Sequence, residues 1–290
     1  MCTKIMNLLH VSFSSQDIVD LSIKKHEWHI MDYLSKAEQA RIRLLGKKRE
    51  REEQGRFIAE GIKVCKELLN SNFTIQYAVI PDDANDQALT LADKLQVAGI
   101  EVCLAGTTAF ERMTDANSPQ DIFCIAELPS GHDNLPATFL ALEDINDPGN
   151  LGTIIRTADW FGMTSIILGG NCADAFGPKA LRAAMGSTFR MNIIIKEEFA
   201  PFLDVWKQAF PKGDILGLLV QADQSLHEVH QLPENWGIIM GSESHGVTEL
   251  TAQHITRPLR IDGFGSAESL NVGIATGITL YHCLSLVRKQ

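Results

Sequence analysis

Three polar, glycine-rich segments in the second half of the chain hold the residue types best able to do chemistry. They read DPGNLGTIIRTADWFG at 147–162, MGSESHGV at 240–247 and RIDGFGSAESLNVGIATGI at 260–278. Glycine lets a backbone approach a bound molecule closely, and a guanidinium can orient a phosphate or a hydroxyl group. The candidate functional side chains are Asn150, Arg156, Glu243, Ser269 and Asn271. We therefore look for a ligand site where the three segments meet.

The first and third segments also have a purely structural interpretation. Asn150 is placed to cap the helix that follows Pro148, with Arg156 on the surface of that helix. Ser269 and Asn271 stand at the start of the last helix, where they could cap it or present hydroxyl and amide groups to a ligand. The residues alone leave both interpretations open.

Spacing argues against two enzyme classes. A hydrolase nucleophile elbow needs GxSxG, whereas Gly241 and Gly246 are one residue too far apart. The run Gly263-Phe264-Gly265 lacks the further strand and the acidic residue of a dinucleotide-binding fingerprint. We expect neither an esterase nor an NAD-dependent enzyme.

The histidines and cysteines do not follow a metal-binding pattern. The HxxH strings at 26–29 and 227–230 lack a third ligand at metal spacing, and the six cysteines contain no CxxC pair. We expect no metal site, and we expect buried, reduced thiols.

The elements that must position these residues fall into two groups. From residue 34, helices near 36–45 and 61–70 and strands at 56–59, 75–80, 100–104 and 121–127 predict a small α/β unit. Residues 1–30 lack a clear period and are interpreted as an extension. The polar stretch 128–136 is interpreted as a linker, so we expect one domain over 31–130 and a second over 136–290.

The second group alternates strands with helices. Apolar runs at 138–145, 165–168, 190–195, 214–220, 236–240 and 255–261 alternate with helical patterns at 151–161, 179–186 and 200–209. This alternation predicts an α/β fold with a mostly parallel sheet covered on both faces. Ligands bind such sheets at the carboxyl ends of the strands, which is where the three polar segments lie.

The composition is that of a globular protein, with 290 residues, 45% hydrophobic and 21% charged. No stretch reaches the roughly 18 apolar residues that a membrane-spanning helix needs, so we expect a cytoplasmic protein. The net charge of −10 argues against a nucleic-acid partner, yet eight basic and four acidic residues lie between Lys36 and Arg56. This surplus predicts either a solvated surface or an RNA contact. The candidate RNA-binding residues are Lys47, Lys48, Arg49, Arg51 and Arg182, and Arg182 with Arg190 offers an alternative RNA path.

Taken in order, NLGTIIRTADWFG, GSESHGV and IDGFGSAESLNVGIATGI resemble the three signature motifs of the SpoU (TrmH-type) RNA 2′-O-ribose methyltransferases of the SPOUT superfamily. GRFIAEGIKVCKELL and SPQDIFCIAEL are similar to that family's ribosomal-protein-like substrate-binding domain. The resemblance implies a parallel sheet tied into a deep trefoil knot, a homodimer, and S-adenosylmethionine as cofactor. It also implies methyl transfer to RNA, with ribosomal RNA favoured over transfer RNA.

The resemblance assigns roles to individual residues. It makes Arg156 the catalytic arginine, and we interpret it as an orienter because a guanidinium stays protonated. Asn150, Glu243, Ser269 and Asn271 match the other polar signature positions. The cofactor contacts implied are Met240, Gly241, Ile261 and Leu270, together with Ser269 and Asn271.

The third motif departs from the family. This chain has Ile261-Asp262 where Ile-Pro is usual, and Gly263 replaces a bulkier residue, so we expect a less rigid loop. The departure and the acidic net charge keep a second hypothesis open. In it the chain binds RNA or assists ribosome assembly without methyl transfer.

Overall fold

The computed structural model describes residues 31–114, 119–130, 134–242 and 245–287, and these ranges form two β-sheets. The expected N-terminal extension, residues 1–30, lies outside the described residues. Within the described ranges, no helix combines the length and the apolar character that crossing a bilayer requires.

The N-terminal sheet has four strands in the order β1–β4–β2–β3. β4 runs antiparallel to both of its neighbours, and β3 runs parallel to β2. The strands are β1 Arg56–Glu60, β2 Ile75–Pro81, β3 Glu101–Ala105 and β4 Phe123–Glu127. The helices are α1 Lys36–Leu44, α2 Lys48–Gln54, α3 Ile62–Leu69, α4 Asp86–Val97 and α5 Thr107–Glu111. The predicted strands and the helices α1 and α3 are confirmed, whereas α2, α4 and α5 were not predicted.

The C-terminal sheet has six parallel strands in the order β10–β8–β9–β5–β6–β7. The strands are β5 Thr138–Glu143, β6 Ser165–Gly169, β7 Asn192–Ile195, β8 Asp214–Leu218, β9 Trp236–Met240 and β10 Arg257–Leu259. The helices are α6 Pro148–Phe161, α7 Pro178–Ala184, α8 Phe199–Ala209, α9 Glu249–Ala252 and α10 Val272–Val287.

Both faces of this sheet are covered, as predicted. On β5, Leu140 and Leu142 pack into the core that α6 completes, while Phe139 and Ala141 pack toward Trp206 of α8. Alternate residues of one strand therefore enter two different cores, which explains why these strands are apolar throughout.

The three polar segments follow β5, β9 and β10, which together with β8 are neighbours in the sheet. Because parallel strands share a direction, their carboxyl ends lie along one edge. The sheet order thus brings together segments that are about 100 residues apart in sequence.

The two units pack against each other through an aromatic cluster and a buried ion pair. Phe57 and Phe73 of the N-terminal unit meet Phe176 and Phe189, with ring centroids 5.2–6.1 Å apart. Arg51 donates from Nε to Asp174 at 2.9 Å and from Nη1 to the Leu45 carbonyl at 2.6 Å, and Asp174 also accepts from the backbone N–H of Phe176.

Candidate active site at the carboxyl edge of the large sheet

Helix α6 begins at an aspartate cap, not at the predicted asparagine. The Asp147 carboxylate accepts from the backbone N–H of Asn150 at 2.8 Å, and Pro148 occupies the first turn. Proline suits this position because it has no N–H to leave unsatisfied. Hydrogen bonds from Lys179 and from the Asn150 backbone lower the pKa of Asp147. The prediction that Asn150 caps the helix is therefore wrong.

The side chain of Asn150 instead joins the first segment to the third. Its Oδ1 accepts from Nδ2 of Asn271 at 3.1 Å. Oδ1 of Asn271 accepts from the backbone N–H of Gly273 at 3.0 Å, so Asn271 also holds the start of α10. The Asn271 side chain thus caps α10, as the structural interpretation predicts, and also bonds to another segment of the candidate site.

Arg156 lies two turns into α6 with its side chain exposed. No described residue forms an ion pair or a hydrogen bond with its guanidinium. It lines a cleft of about 600 Å³ between α6 and the N-terminal unit. The other residues of the cleft include Lys63, Glu67, Thr153, Asp159, Trp160, Ser187 and Arg190.

Charge in this cleft is unevenly compensated. Arg190 pairs with Asp159 at 2.6 Å and also contacts Glu67. Burial by itself would raise the pKa of Asp159, but hydrogen bonds from Arg190 and Ser187 outweigh it, so the pKa is lowered. Exposed Lys63 and Arg156 have no such carboxylate among the described residues. The cleft therefore presents two positive charges to an anionic ligand.

The second segment leaves no room for a side chain at its first glycine. A Cβ on Gly241 would lie 2.1 Å from the Gly246 carbonyl carbon and 2.4 Å from the Val247 nitrogen. Ser242 and Gly246 exchange two backbone hydrogen bonds of 3.0 and 2.9 Å, which close the turn. Met240, the last residue of β9, is buried. Glu243 lies outside the described residues, so its predicted role stays a prediction.

A buried carboxylate that the sequence analysis missed fixes the far end of this segment. Glu143, the last residue of β5, accepts from the backbone N–H of Thr248 at 2.8 Å and from the hydroxyls of Thr248 and Thr251 at 2.9 and 2.6 Å. Buried carboxylates persist where donors satisfy them. An acidic residue ending an otherwise apolar strand at the carboxyl edge is the signal that could have identified it.

The third segment presents its side chains to solvent. Residues 263–271 are exposed, including Ser269, Leu270 and Asn271, while Ile261 is half-buried against the core. An exposed hydroxyl and amide beside apolar groups can hydrogen-bond the polar parts of a ligand and cover its apolar parts.

The predicted RNA-binding arginine at 51 is wrong. Arg51 is 3% exposed, and its guanidinium is occupied by Asp174 and the Leu45 carbonyl, so it cannot reach a phosphate in solution. Lys47, Lys48 and Arg49 are exposed, although the latter two face Glu52 and Glu53 one turn on. Arg182 lies 3.4 Å from buried Glu60.

The described residues contain no group of three or more side chains placed to hold a metal ion. The five described cysteines are unpaired, and four of them are buried. Burial raises the pKa of Cys283 to about 12, which keeps that thiol protonated.

The donor set fits the S-adenosylmethionine implied by the resemblance. At Gly241 even a methyl group would clash with the backbone of the same turn. Only the peptide groups of Gly241 can therefore bond to a ligand. Ile261 and Leu270 supply apolar surface, and Ser269 and Asn271 supply hydrogen-bonding groups. These residues would hold the cofactor.

Two families of known sequences match this chain. The sequence model of the SpoU rRNA Methylase family matches residues 137–281. That of the MRM3-like substrate binding domain matches residues 40–124. The first match covers the strands of the large sheet, and the second covers most of the small sheet.

Individual proteins are similar over most of the chain. The 23S rRNA (guanosine(2553)-2′-O)-methyltransferase RlmP of Bacillus subtilis is 31% identical over 235 residues, which are 81% of this chain and 91% of that protein. The structure of an rRNA methyltransferase from Sinorhizobium meliloti with AdoMet bound has a TM-score of 0.73 and 30% identity, covering 87% of this chain and 95% of the other. A Porphyromonas gingivalis protein of the TrmH family has a TM-score of 0.76 and 29% identity, covering 89% and 99%.

Proposed function

The chain belongs to the SpoU rRNA methylase family, and from that premise we propose that it transfers a methyl group from S-adenosylmethionine to a ribose 2′-hydroxyl of ribosomal RNA. The observation that carries the proposal is the hydrogen bond between Asn150 and Asn271, which joins the first and third segments beside Arg156. A protein that only bound RNA would not need these polar groups at one edge of the sheet.

S-Adenosylmethionine, when bound, supplies the methyl group as an electrophile on its sulfonium. The chain's own contribution is to bind and to align. Peptide groups at Met240 and Gly241, with Ile261 and Leu270, would contact the cofactor, and Ser269 and Asn271 would add side-chain hydrogen bonds. Alignment of the attacking oxygen with the methyl group supplies much of the rate in such a transfer.

Arg156 acts on the RNA side of the reaction. A guanidinium stays protonated, so it does not take the hydroxyl proton. It can donate to a phosphate and to the ribose oxygen as negative charge develops there, and donors of this kind stabilise the transition state. Its exposure and its lack of a carboxylate partner among the described residues support this role.

The cleft beside Arg156 is the proposed RNA path. Lys63 reaches it from α3 of the N-terminal unit, which matches a substrate-binding domain. Trp160, 82% exposed, lies one turn from Arg156 on the same helix. A single strand can place phosphates on the two cations and a base on the indole face. Lys47, Lys48, Arg49 and Arg182 extend the proposed contact beyond the cleft.

A homodimer is proposed through α10. Ile274, Ile278 and Tyr281 recur on one face of this helix and are exposed. A second copy would cover this apolar stripe, and Ile278→Asp is expected to halve the mass measured by light scattering. We also propose the trefoil knot that the family resemblance implies, formed by the part of the chain that leads from β10 into α10, which packs against α6.

Methyl transfer from labelled S-adenosylmethionine to ribosomal RNA tests the function. The RNA comes from a strain that lacks the protein, and nucleosides are identified by mass spectrometry. We expect a 2′-O-methylated nucleoside with the wild type, no product with Arg156→Ala, and unchanged product with Arg112→Ala, which removes an exposed arginine at the end of α5 in the N-terminal unit.

Two other outcomes would be informative. Cofactor binding without transfer to any ribosomal RNA, including assembly intermediates, would favour the binding-only hypothesis. Product in transfer RNA alone would keep the reaction and change the substrate.

A further inference from the structure

Asp262 stands between β10 and the exposed residues 263–271, and both of its carboxylate oxygens are engaged. Oδ1 accepts from Nε of Arg260 at 3.0 Å. Oδ2 accepts from Oγ of Ser225 at 2.5 Å and lies 3.0 Å from Nδ1 of His227. Three side chains from two separate segments thus converge on one carboxylate.

The groups that hold Asp262 are themselves fixed. Ser225 is buried and begins the 3₁₀ turn Leu226–Glu228, where its side chain and that of Glu228 form a reciprocal cap. The Arg260 backbone donates to the Gln224 carbonyl at 2.9 Å and accepts from Leu226 at 2.8 Å. Asp262 is therefore bonded to a turn that its own hydrogen bonds fix.

The same turn also contacts the helix that follows the exposed stretch. Nε2 of His282, on α10, lies 2.8 Å from the carbonyl oxygen of Val229, the residue that ends the turn. Residues 263–271, between Asp262 and the start of α10, are exposed, and Phe264 is 99% exposed. The turn is thus bonded to Asp262 before the exposed stretch and to α10 after it.

The Ser225, His227 and Asp262 side chains do not form a catalytic relay. Ser225 and Asp262 both approach the same histidine nitrogen, Nδ1, whereas a nucleophile relay uses the two ring nitrogens separately. The arrangement is a clamp.

We propose that Asp262 is a positioning residue for residues 263–271, and that its clamp on Ser225, His227 and Arg260 sets the affinity for S-adenosylmethionine. The inference rests on the proposed function. Proline, usual at this position in the family, restricts the backbone by its ring; here hydrogen bonds fix the direction in which the chain enters the loop. Hydrogen bonding by Ser225, with smaller effects of His227 and Arg260, lowers the pKa of Asp262, so the clamp stays charged at neutral pH.

Calorimetric titration with S-adenosylmethionine tests the clamp. Asp262→Ala is expected to weaken Kd about ten-fold, since charge-assisted hydrogen bonds that fix the loop are lost. The value of kcat at saturating cofactor should change less than about two-fold, because Asp262 does not touch the reacting atoms. Asp262→Pro should recover most of the affinity, because the ring restores a fixed backbone direction.

Two further variants sharpen the result. Glu234→Ala removes an exposed carboxylate before β9 that bonds to none of the clamp residues, and its Kd should equal that of the wild type. His227→Ala removes one exposed contributor and should weaken Kd about three-fold even if Asp262→Ala folds poorly.

The outcomes separate this inference from the function it rests on. Wild-type affinity in a folded Asp262→Ala protein would overturn the clamp and leave the function intact. Equal weakness in the alanine and proline variants would show that Asp262 does not act by directing the chain. Absence of cofactor binding by the wild type would overturn the proposed function, and the clamp's role with it.

Discussion

The junction between the two units and the carboxyl edge of the large sheet use arginine in opposite ways. At the junction, Arg51 is buried and satisfied by Asp174 and a carbonyl. At the edge, Arg156 is exposed and has no carboxylate partner among the described residues. A paired, buried cation holds structure, whereas an unpaired, exposed one is left for a ligand.

Removing Arg156 should give the largest effect and should appear in activity alone. We expect Arg156→Ala to lower kcat by about 10³-fold, as for loss of a transition-state donor. Its thermal unfolding should match the wild type because the side chain is exposed. If Arg156→Ala lowered the melting temperature as much as Arg51→Ala does, the two arginines would not differ in their structural roles.

Removing Arg51 should do the reverse. Arg51→Ala leaves Oδ2 of Asp174 and the Leu45 carbonyl without their donor, which we expect to cost about 3–5 kcal/mol of unfolding free energy in urea titrations. A double-mutant cycle with Asp174→Ala should show strong coupling. RNA affinity that falls while stability is unchanged would restore Arg51 as an RNA contact.

A methyl group added at Gly241 tests whether cofactor binding depends on the close backbone packing at the carboxyl edge of the large sheet. Since its Cβ would lie 2.1 Å from a backbone carbon, Gly241→Ala must shift the second segment. We expect cofactor affinity to fall about ten-fold. Gly46→Ala is the control, because its added Cβ lies 3.8 Å from the nearest atom. Equal affinity in both variants would place the cofactor elsewhere.

Acidification should weaken the contact between Asp159 and Arg190. The pKa of Asp159 is lowered in the folded state, so its stabilisation is present above the ordinary value of 3.8 and is lost as the pH falls through the lowered pKa. Asp159→Asn should therefore lower the free energy of unfolding by about 1 kcal/mol at pH 7, and the further decrease of that free energy at acidic pH should be smaller than in the wild type. Asp93→Asn, at an exposed carboxylate, should leave the decrease at acidic pH unchanged.

The smallest effect is expected from the basic patch. Replacing Lys47, Lys48 and Arg49 with alanine should weaken RNA binding and lower the slope of log K against log salt by about 2. Replacing Lys94, Arg112 and Lys212 removes the same charge elsewhere on the surface and should leave the slope unchanged. Equal slopes in both triple variants would move the RNA path away from the patch.

The sequence predicts the fold better than it predicts which side chains are free. Strand positions follow from apolar runs, since burial on both faces leaves a local pattern. Whether Arg51 is buried and paired depends on Asp174, which lies 123 residues away in the sequence. The residues around Arg51 give no sign of this pairing. The pair Asp147-Pro148 is a local signal for the start of α6, but Asn150 is also a residue type that caps helices.

In the site, too, the sequence predicts individual residues but not their contacts with distant parts of the chain. The motifs identify Asn150, Arg156 and Asn271, but their junction depends on the order of distant strands. Glu143 and Asp262 were missed as anchors because each is held by donors from another part of the chain. We expected the Asp262 departure to loosen the loop, whereas three side chains hold it.

The sheet order also dictates when the site can exist during synthesis. The small sheet is complete once β4 ends at Glu127. β5 pairs on one side with β6, which follows soon after it, but its other side must wait for β9, which is made about 100 residues later, because Thr138 pairs with Trp236. Domains generally fold as units from the N-terminus, and distant pairings form late. A nascent chain therefore carries a finished substrate-binding unit before α10 emerges with Asn271 to close the site.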